Sequence, residues 1–149
     1  MVKYQAELHD FFTLFLTDSD VEPLFAVMES HSLASGGTLF TYGDTAEGMY
    51  FVVAGRLAVE KNTGFASRKQ VVALLGKGAP VGEAGLLPES FRGTTIVAVE
   101  DSTLLYLSKN AFDQLCKERP DFGVTFFRWL LGRVSLRLKS STERLAHIL

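Results

Sequence analysis

A single cysteine, Cys116, in 149 residues excludes an intrachain disulfide framework and any four-cysteine metal or iron–sulfur site. A lone thiol suits a reducing cytoplasm. Neither charge is in large surplus: 15 Lys and Arg against 17 Asp and Glu leave a net −2, which gives the whole chain no footprint for nucleic acid. No run reaches about 18 apolar residues, so no membrane span is expected. The first residues have no basic segment leading into an apolar run, so no secretory signal is expected. The three histidines, His9, His31 and His147, have no metal-ligand spacing and read as solvated or capping side chains. There is no Gly-x-Ser-x-Gly elbow. "GKGAPVG", residues 76–82, narrowly misses a dinucleotide loop. Its third glycine comes one residue late, and Pro80 stands where a helix would have to start. It also lacks the Lys-Ser/Thr pair of a phosphate loop, so it reads as a turn between strands. With no nucleophile, metal cluster or acid–base pair, enzymatic chemistry is the reading these residues support least.

The chain is rich in apolar residues. They make up 47% of it, with twelve phenylalanines, enough for one domain with a real core. Residues 7–31 carry Leu8, Phe11, Phe12, Phe15, Val21, Leu24, Phe25 and Met28 at three- and four-residue intervals, which predicts helices. "TDSD" breaks the pattern, with Asp18 or Asp20 expected to cap the second helix and Pro23 just beyond. From residue 33 to 107 short apolar runs alternate with glycine turns. "MYFVVAG", "RLAVEK", "QVVALLG", "TTIVAVE" and "TLLYLS" are the runs; Gly43, Gly55, Gly64, Gly76 and Gly82 are among the turns. This spacing predicts a closed roll of antiparallel strands.

Residues 109–149 return to helix. Ser108 is the expected N-cap of a short one that ends before Pro120. In the long helix that follows, Phe127, Leu130, Leu131, Val134, Leu138, Leu145, Ile148 and Leu149 fall within a stripe about 100° wide. Leu131, Val134, Leu138, Ser141, Leu145 and Ile148 fit successive a and d positions, so a homodimer seam through Leu131, Val134, Leu138, Leu145 and Ile148 is expected. From residue 128 on, the same helix holds Arg128, Arg133, Arg137, Lys139 and Arg144 against one acid, Glu143. That is either a face for an anionic partner or the solvated side of a dimer helix, and the solvated side is preferred. Leu136 lies opposite the stripe and is expected to face the roll or a ligand.

"VGEAGLLPESFRGTT", residues 81–95, sets Glu83 nine positions before Arg92 within turn-forming sequence. A strand ending near Val81, a turn at Gly82 and a short helical turn over "EAGLL" would present unpaired N–H groups to an anion. Gly85 would let a ligand approach the backbone. Arg92 would give a phosphate a forked contact, and Glu83 would accept from a hydroxyl. Together these describe a sugar-phosphate site. The alternative is an exposed ion pair worth under about 1 kcal/mol. The residues alone leave both open.

The segment resembles the phosphate-binding cassette of cyclic-nucleotide-binding domains: Val81-Gly82-Glu83, Ala84-Gly85, Leu86-Leu87, a "PESF" spacer, then Arg92-Gly93-Thr94-Thr95. Upstream, "GGTLFTYGDTAEGMYFVVAGRLAVE" is similar to the family's run of turn glycines and strands. The resemblance covers about residues 10–140 and implies an eight-stranded β-roll with flanking helices. It implies that Glu83 holds the ribose 2′-hydroxyl and Arg92 the cyclic phosphate. Backbone N–H groups of Gly85, Leu86 and Leu87 would cradle that phosphate, with Gly82, Ala84, Gly93 and Thr94 completing the cassette. Arg133, Arg137 and Leu138 are the candidates to cap the base. Two residues depart from the pattern. Val81 replaces an aromatic, and Gly93 stands where many members offer a small or hydroxyl side chain. The implied function is a cytoplasmic regulatory domain that binds cAMP in preference to cGMP and couples binding to movement of the C-terminal helix. It would make no direct contact with nucleic acid or membrane. Two other readings are kept. One is the effector half of a regulator resembling the catabolite activator family, although no helix-turn-helix pattern follows within these 149 residues. The other is a degenerate roll that only dimerises.

Overall fold

The computed structural model describes residues 8–62 and 68–148. Glu7, Gly64 and Leu149, which figure in the expectations above, lie outside them. A helical stretch at 8–12 is followed by α1 (Asp18–Val27). Ten strands come next: β1 (Glu29–Leu33), β2 (Thr38–Phe40), β3 (Thr45–Ala46), β4 (Gly48–Ala54), β5 (Leu57–Asn62), β6 (Lys69–Leu75), β7 (Pro80–Val81), β8 (Ser90–Phe91), β9 (Thr95–Ala98) and β10 (Ser102–Ser108). A 3-10 turn, Glu83–Leu86, joins β7 to β8. Two helices, α2 (Lys109–Glu118) and α3 (Pro120–Ile148), end the described chain.

The strands form antiparallel sheets in the orders β1-β10-β4-β7 and β2-β9-β5-β6, with β3-β8 as a separate ribbon. This is the expected β-roll with flanking helices, its strands divided more finely because β3, β7 and β8 have two residues each. The unbroken apolar run in β4 has a simple cause: both of its faces are covered. Met49, Phe51 and Val53 point to a core shared with Phe12, Phe25, Phe112 and Phe126 of the helical layer. Val52 points the other way, into the roll, with Phe40, Leu57, Ile96 and Leu104.

Helix ends differ in part from expectation. The helical reading of 7–31 overruns, since Glu29, Ser30 and His31 belong to β1. Neither Asp18 nor Asp20 caps α1. Thr17 is its N-cap, and both acids stand in the first turn, where the helix dipole favours them. Asp20 instead receives Arg119 Nη1 at 3.0 Å, tying α1 to the α2–α3 junction. Ser108 does cap α2, accepting from Ala111 N at 3.0 Å. Pro120 opens α3, where its missing N–H costs nothing.

Candidate functional site

The segment after β7 folds as its residues require. Gly82 adopts φ 67°, ψ 38°, left-handed backbone that favours glycine. A Cβ there would also collide with Arg92 Nη1. Gly85 meets a packing constraint that the sequence reading did not include. It is buried, and a Cβ on it would strike the Gly48 carbonyl. The bare backbone lets β4 approach the 3-10 turn.

Arg92 leaves the β8–β9 connection and is only 7% exposed. Its backbone is pinned to the opposite loop: Arg92 N donates to Asp44 O at 2.7 Å, and Gly43 N donates to Arg92 O at 2.8 Å. Its guanidinium donates from Nη1 to Gly82 O and from Nη2 to Gly48 O, each at 2.9 Å. Cζ sits 4.2 Å from the centre of the Phe40 ring, a cation–π distance. No carboxylate pairs with it among the described residues. Burial pushes its pKa below that of an ordinary guanidinium, opposed by Tyr50, Tyr106, Asp44 and Glu83. A buried cation without an opposite charge costs several kcal/mol, on the order of the desolvation of one ion.

A cleft of about 470 Å³ opens beside it. Gly82, Glu83, Ala84, Arg92, Gly93 and Thr94 line one side. Phe40, Val59, Ala73, Leu74, Leu75 and Ile96 form an apolar wall, with Phe91 at the mouth. Sequence reasoning did not single out these apolar residues. The apolar runs that predicted strands contain Val59, Ala73, Leu74, Leu75 and Ile96, but only closure of the roll shows which face meets a cleft. Gly85 and Leu86 are buried behind the cassette, and Leu87 lines a neighbouring apolar groove under α3 instead.

Glu83 and Arg137 meet across 54 positions of sequence. Arg137 Nη1 donates to Glu83 Oε1 at 2.5 Å, and its Nη2 donates to Pro80 O at 2.7 Å. Among the three base-capping candidates, Arg137 alone lines the cleft. Arg133 faces a separate cleft, and Leu138 is 68% exposed. From residue 131 to 148 every described residue is exposed except Arg137, so this side chain carries the far half of α3 back to the roll. The seam residues Leu131, Val134, Leu138, Leu145 and Ile148 are all among the exposed. Leu130 and Phe126, by contrast, are buried in the core.

A largely apolar cleft with a buried guanidinium and a carboxylate at one end is what this β-roll offers a small anionic molecule. The chain belongs to the cyclic nucleotide-binding domain family, whose sequence profile matches residues 30–119. It is 31% identical over 115 residues to a lysophospholipase of Candida albicans, spanning 75% of this chain and 8% of that protein. It is 30% identical over 105 residues to the cyclic AMP receptor protein of Thermus thermophilus, spanning 70% of this chain and 48% of that one. Among solved structures, the catabolite activator protein of T. thermophilus superposes with a TM-score of 0.74 at 26% identity, over 89% of this chain and 60% of that one. A cyclic nucleotide-binding domain from Methylobacillus flagellatus shares the fold with a TM-score of 0.90 at 23% identity, over 99% and 85%.

Proposed function

We propose that this chain is a cytoplasmic cAMP-sensing domain in which ligand binding shifts the position of α3. The observation that carries the reading is Arg92, a buried guanidinium with no carboxylate partner at the edge of an apolar cleft. A cyclic phosphate supplies the missing charge, and the apolar wall takes the base. Glu83 is in place to accept from a ribose hydroxyl. It is already held by Arg137, so the ligand and α3 engage one carboxylate. Binding then biases α3 between two positions, to the extent that the ligand's affinity differs between them.

The preference for cAMP follows from Gly93, which offers no side chain to the amino group that distinguishes guanine. Leaving that group unpaired in the cleft costs about 1–3 kcal/mol, or roughly 5- to 150-fold in affinity. Thr94 carries a hydroxyl on the same wall, and inward rotation would narrow the gap. Likeness to the T. thermophilus cyclic AMP receptor protein favours a second reading, in which the domain is the effector unit of a transcription regulator.

Titration calorimetry tests the first reading. The parent is expected to bind cAMP more tightly than cGMP, and 2′-deoxy-cAMP more weakly than cAMP. Arg92→Ala is expected to weaken cAMP by about 30-fold or more, since a buried charged contact is worth about 2–5 kcal/mol. Undiminished cAMP binding by that variant sinks the reading. Equal or tighter cGMP binding by the parent removes the preference.

A further inference from the structure

Two aromatic rings stand by the Arg92 guanidinium, Phe40 with its centre 4.2 Å from Cζ and Tyr50 at 6.0 Å. Only Phe40 is well inside the reach of a cation–π contact. Three local features put it there. β2 pairs with β9 through Thr38↔Val97 and Phe40↔Ile96, so the register shifts between Thr38 and Phe40. An irregularity of this kind re-aims the side chain beside it, and Phe40 enters the roll. Gly82 leaves the room: a Cβ there would press on the Phe40 ring at 3.1 and 3.2 Å as well as on Arg92 Nη1. Burial fixes the rest of the ring, since Phe40 is 9% exposed and belongs to one packed cluster with Val52, Leu57, Ile96 and Leu104.

A guanidinium kept ready for an anion has to be held out of water while the anion is absent. A carboxylate would hold it, but would also neutralise its charge and repel an incoming phosphate. An aromatic face presents negative potential with no net charge. Gly82 O and Gly48 O take one N–H each, and the other guanidinium N–H groups have no protein acceptor among the described residues. We propose that Phe40 is a positioning residue for anion binding: its ring holds Arg92 at the cleft, charged and without a counter-ion, before any ligand arrives. The role rests on the cyclic-nucleotide reading for the identity of the ligand, whereas the state of ligand-free Arg92 is independent of it. Without the attraction the guanidinium is free to leave for solvent, and apparent affinity falls with the fraction of molecules in which it stays. A desolvated cation–π contact shifts such an equilibrium by up to about 30-fold.

The test compares the full-length parent, Phe40→Leu, and the chain carrying pentafluorophenylalanine in place of Phe40. The fluorinated ring nearly keeps the shape and reverses the potential of the face, so it separates attraction from packing even where Phe40→Leu fails to fold. Side-chain nitrogen NMR of ligand-free Arg92 is expected to show a guanidinium with slow rotation and ring-shifted protons in the parent, and a loosened one in the fluorinated chain. Calorimetry is expected to show cAMP affinity at least about fivefold lower in that chain, part of the full effect of the contact. The ratio of cAMP to 2′-deoxy-cAMP affinity, which reads Glu83, should not move. In an Arg92→Ala background the fluorinated ring should cost nothing further, because the two residues act as one. An unchanged Arg92 spectrum, undiminished cAMP binding by the fluorinated chain, or an equal loss in the Arg92→Ala background would overturn the proposal. The last outcome would make Phe40 a packing residue only. If the parent binds neither cAMP nor cGMP, the cyclic-nucleotide reading fails, and the ligand-free spectra still decide whether Phe40 holds Arg92 in place.

Discussion

Arg92 keeps its burial through two backbone carbonyls and an aromatic face, none of which carries a full negative charge. Such a residue holds the cassette together and also leaves it short of an anion. Glu83 and Arg92 were legible in the sequence because they fall within one short segment of recognisable pattern. Arg137 stood out only as one of three candidates, since its partner lies 54 positions away and no local spacing marks such a contact. Gly85 carries a packing constraint that was hidden for a similar reason, since it comes from Gly48 of β4. Gly85→Ala is therefore expected to destabilise the fold by about 1–3 kcal/mol, the usual cost of overpacking a tight contact. Urea denaturation measures it, and an unchanged midpoint would show that β4 gives way freely. Cys116 is half-buried, and its pKa is raised above 9.0, first by burial and then by Asp113. Iodoacetamide should label it more slowly than an unfolded control at the same pH, with the difference abolished in urea.

Among the elements, the apolar strands were plain in the sequence and the polar one was hidden. β4 and β10 bury both faces, so their composition alone marks them. β1 pairs with β10 at the edge of its sheet and leaves four of its five residues exposed. Glu-Ser-His-Ser has no period-two signal to read, and its preceding helix lent it a helical look. The long helix has a division of its own. Its first turns are fixed in the core by Phe122, Phe126 and Leu130, and beyond residue 130 Arg137 ties it to the cassette. That ion pair is partly exposed, with Arg137 40% and Glu83 17% accessible, so its strength is modest and a ligand can shift it. Hydrogen exchange over residues 131–148 is expected to change when cAMP binds the parent. In Arg137→Ala the change should shrink or vanish. An equal response in the variant would remove Arg137 from the coupling.

At the scale of the whole molecule, the exposed leucine and valine side chains of α3 need a cover. Leu131 is 66% and Leu138 68% exposed, more apolar surface than an isolated helix on a small domain usually leaves in water. Pairing with a twofold mate would bury it. Sedimentation is expected to show a dimer at tens of micromolar, an ordinary working concentration, and Leu138→Glu should shift it toward monomer because a carboxylate would be desolvated at the seam. A monomeric parent would leave the seam without its proposed role. Burial also raises the pKa values of Tyr50 and Tyr106 above 10.0, alongside Cys116. Below their ordinary values these groups are neutral in both folded and unfolded chains, and stability is fully present. As pH climbs past 9 to 10 the unfolded chain ionises first, and stability is lost as pH rises through the raised folded values. The urea midpoint should thus be lower at about pH 10.5 than at about pH 8.

The sole tryptophan, Trp129, is on α3, with its ring lying flat on Phe15 at 4.2 Å and 3°. That stack spans two parts of the chain, the N-terminal segment and the long helix, so the protein carries its own optical gauge. A swing of α3 about the Arg119–Pro120 junction would slide the indole off Phe15 and alter its emission without any attached dye. Movement confined to the turns beyond Leu130 would leave the stack closed and the emission steady. A single fluorescence titration, set beside hydrogen exchange over residues 131–148, therefore separates a pivoting helix from one that bends partway along.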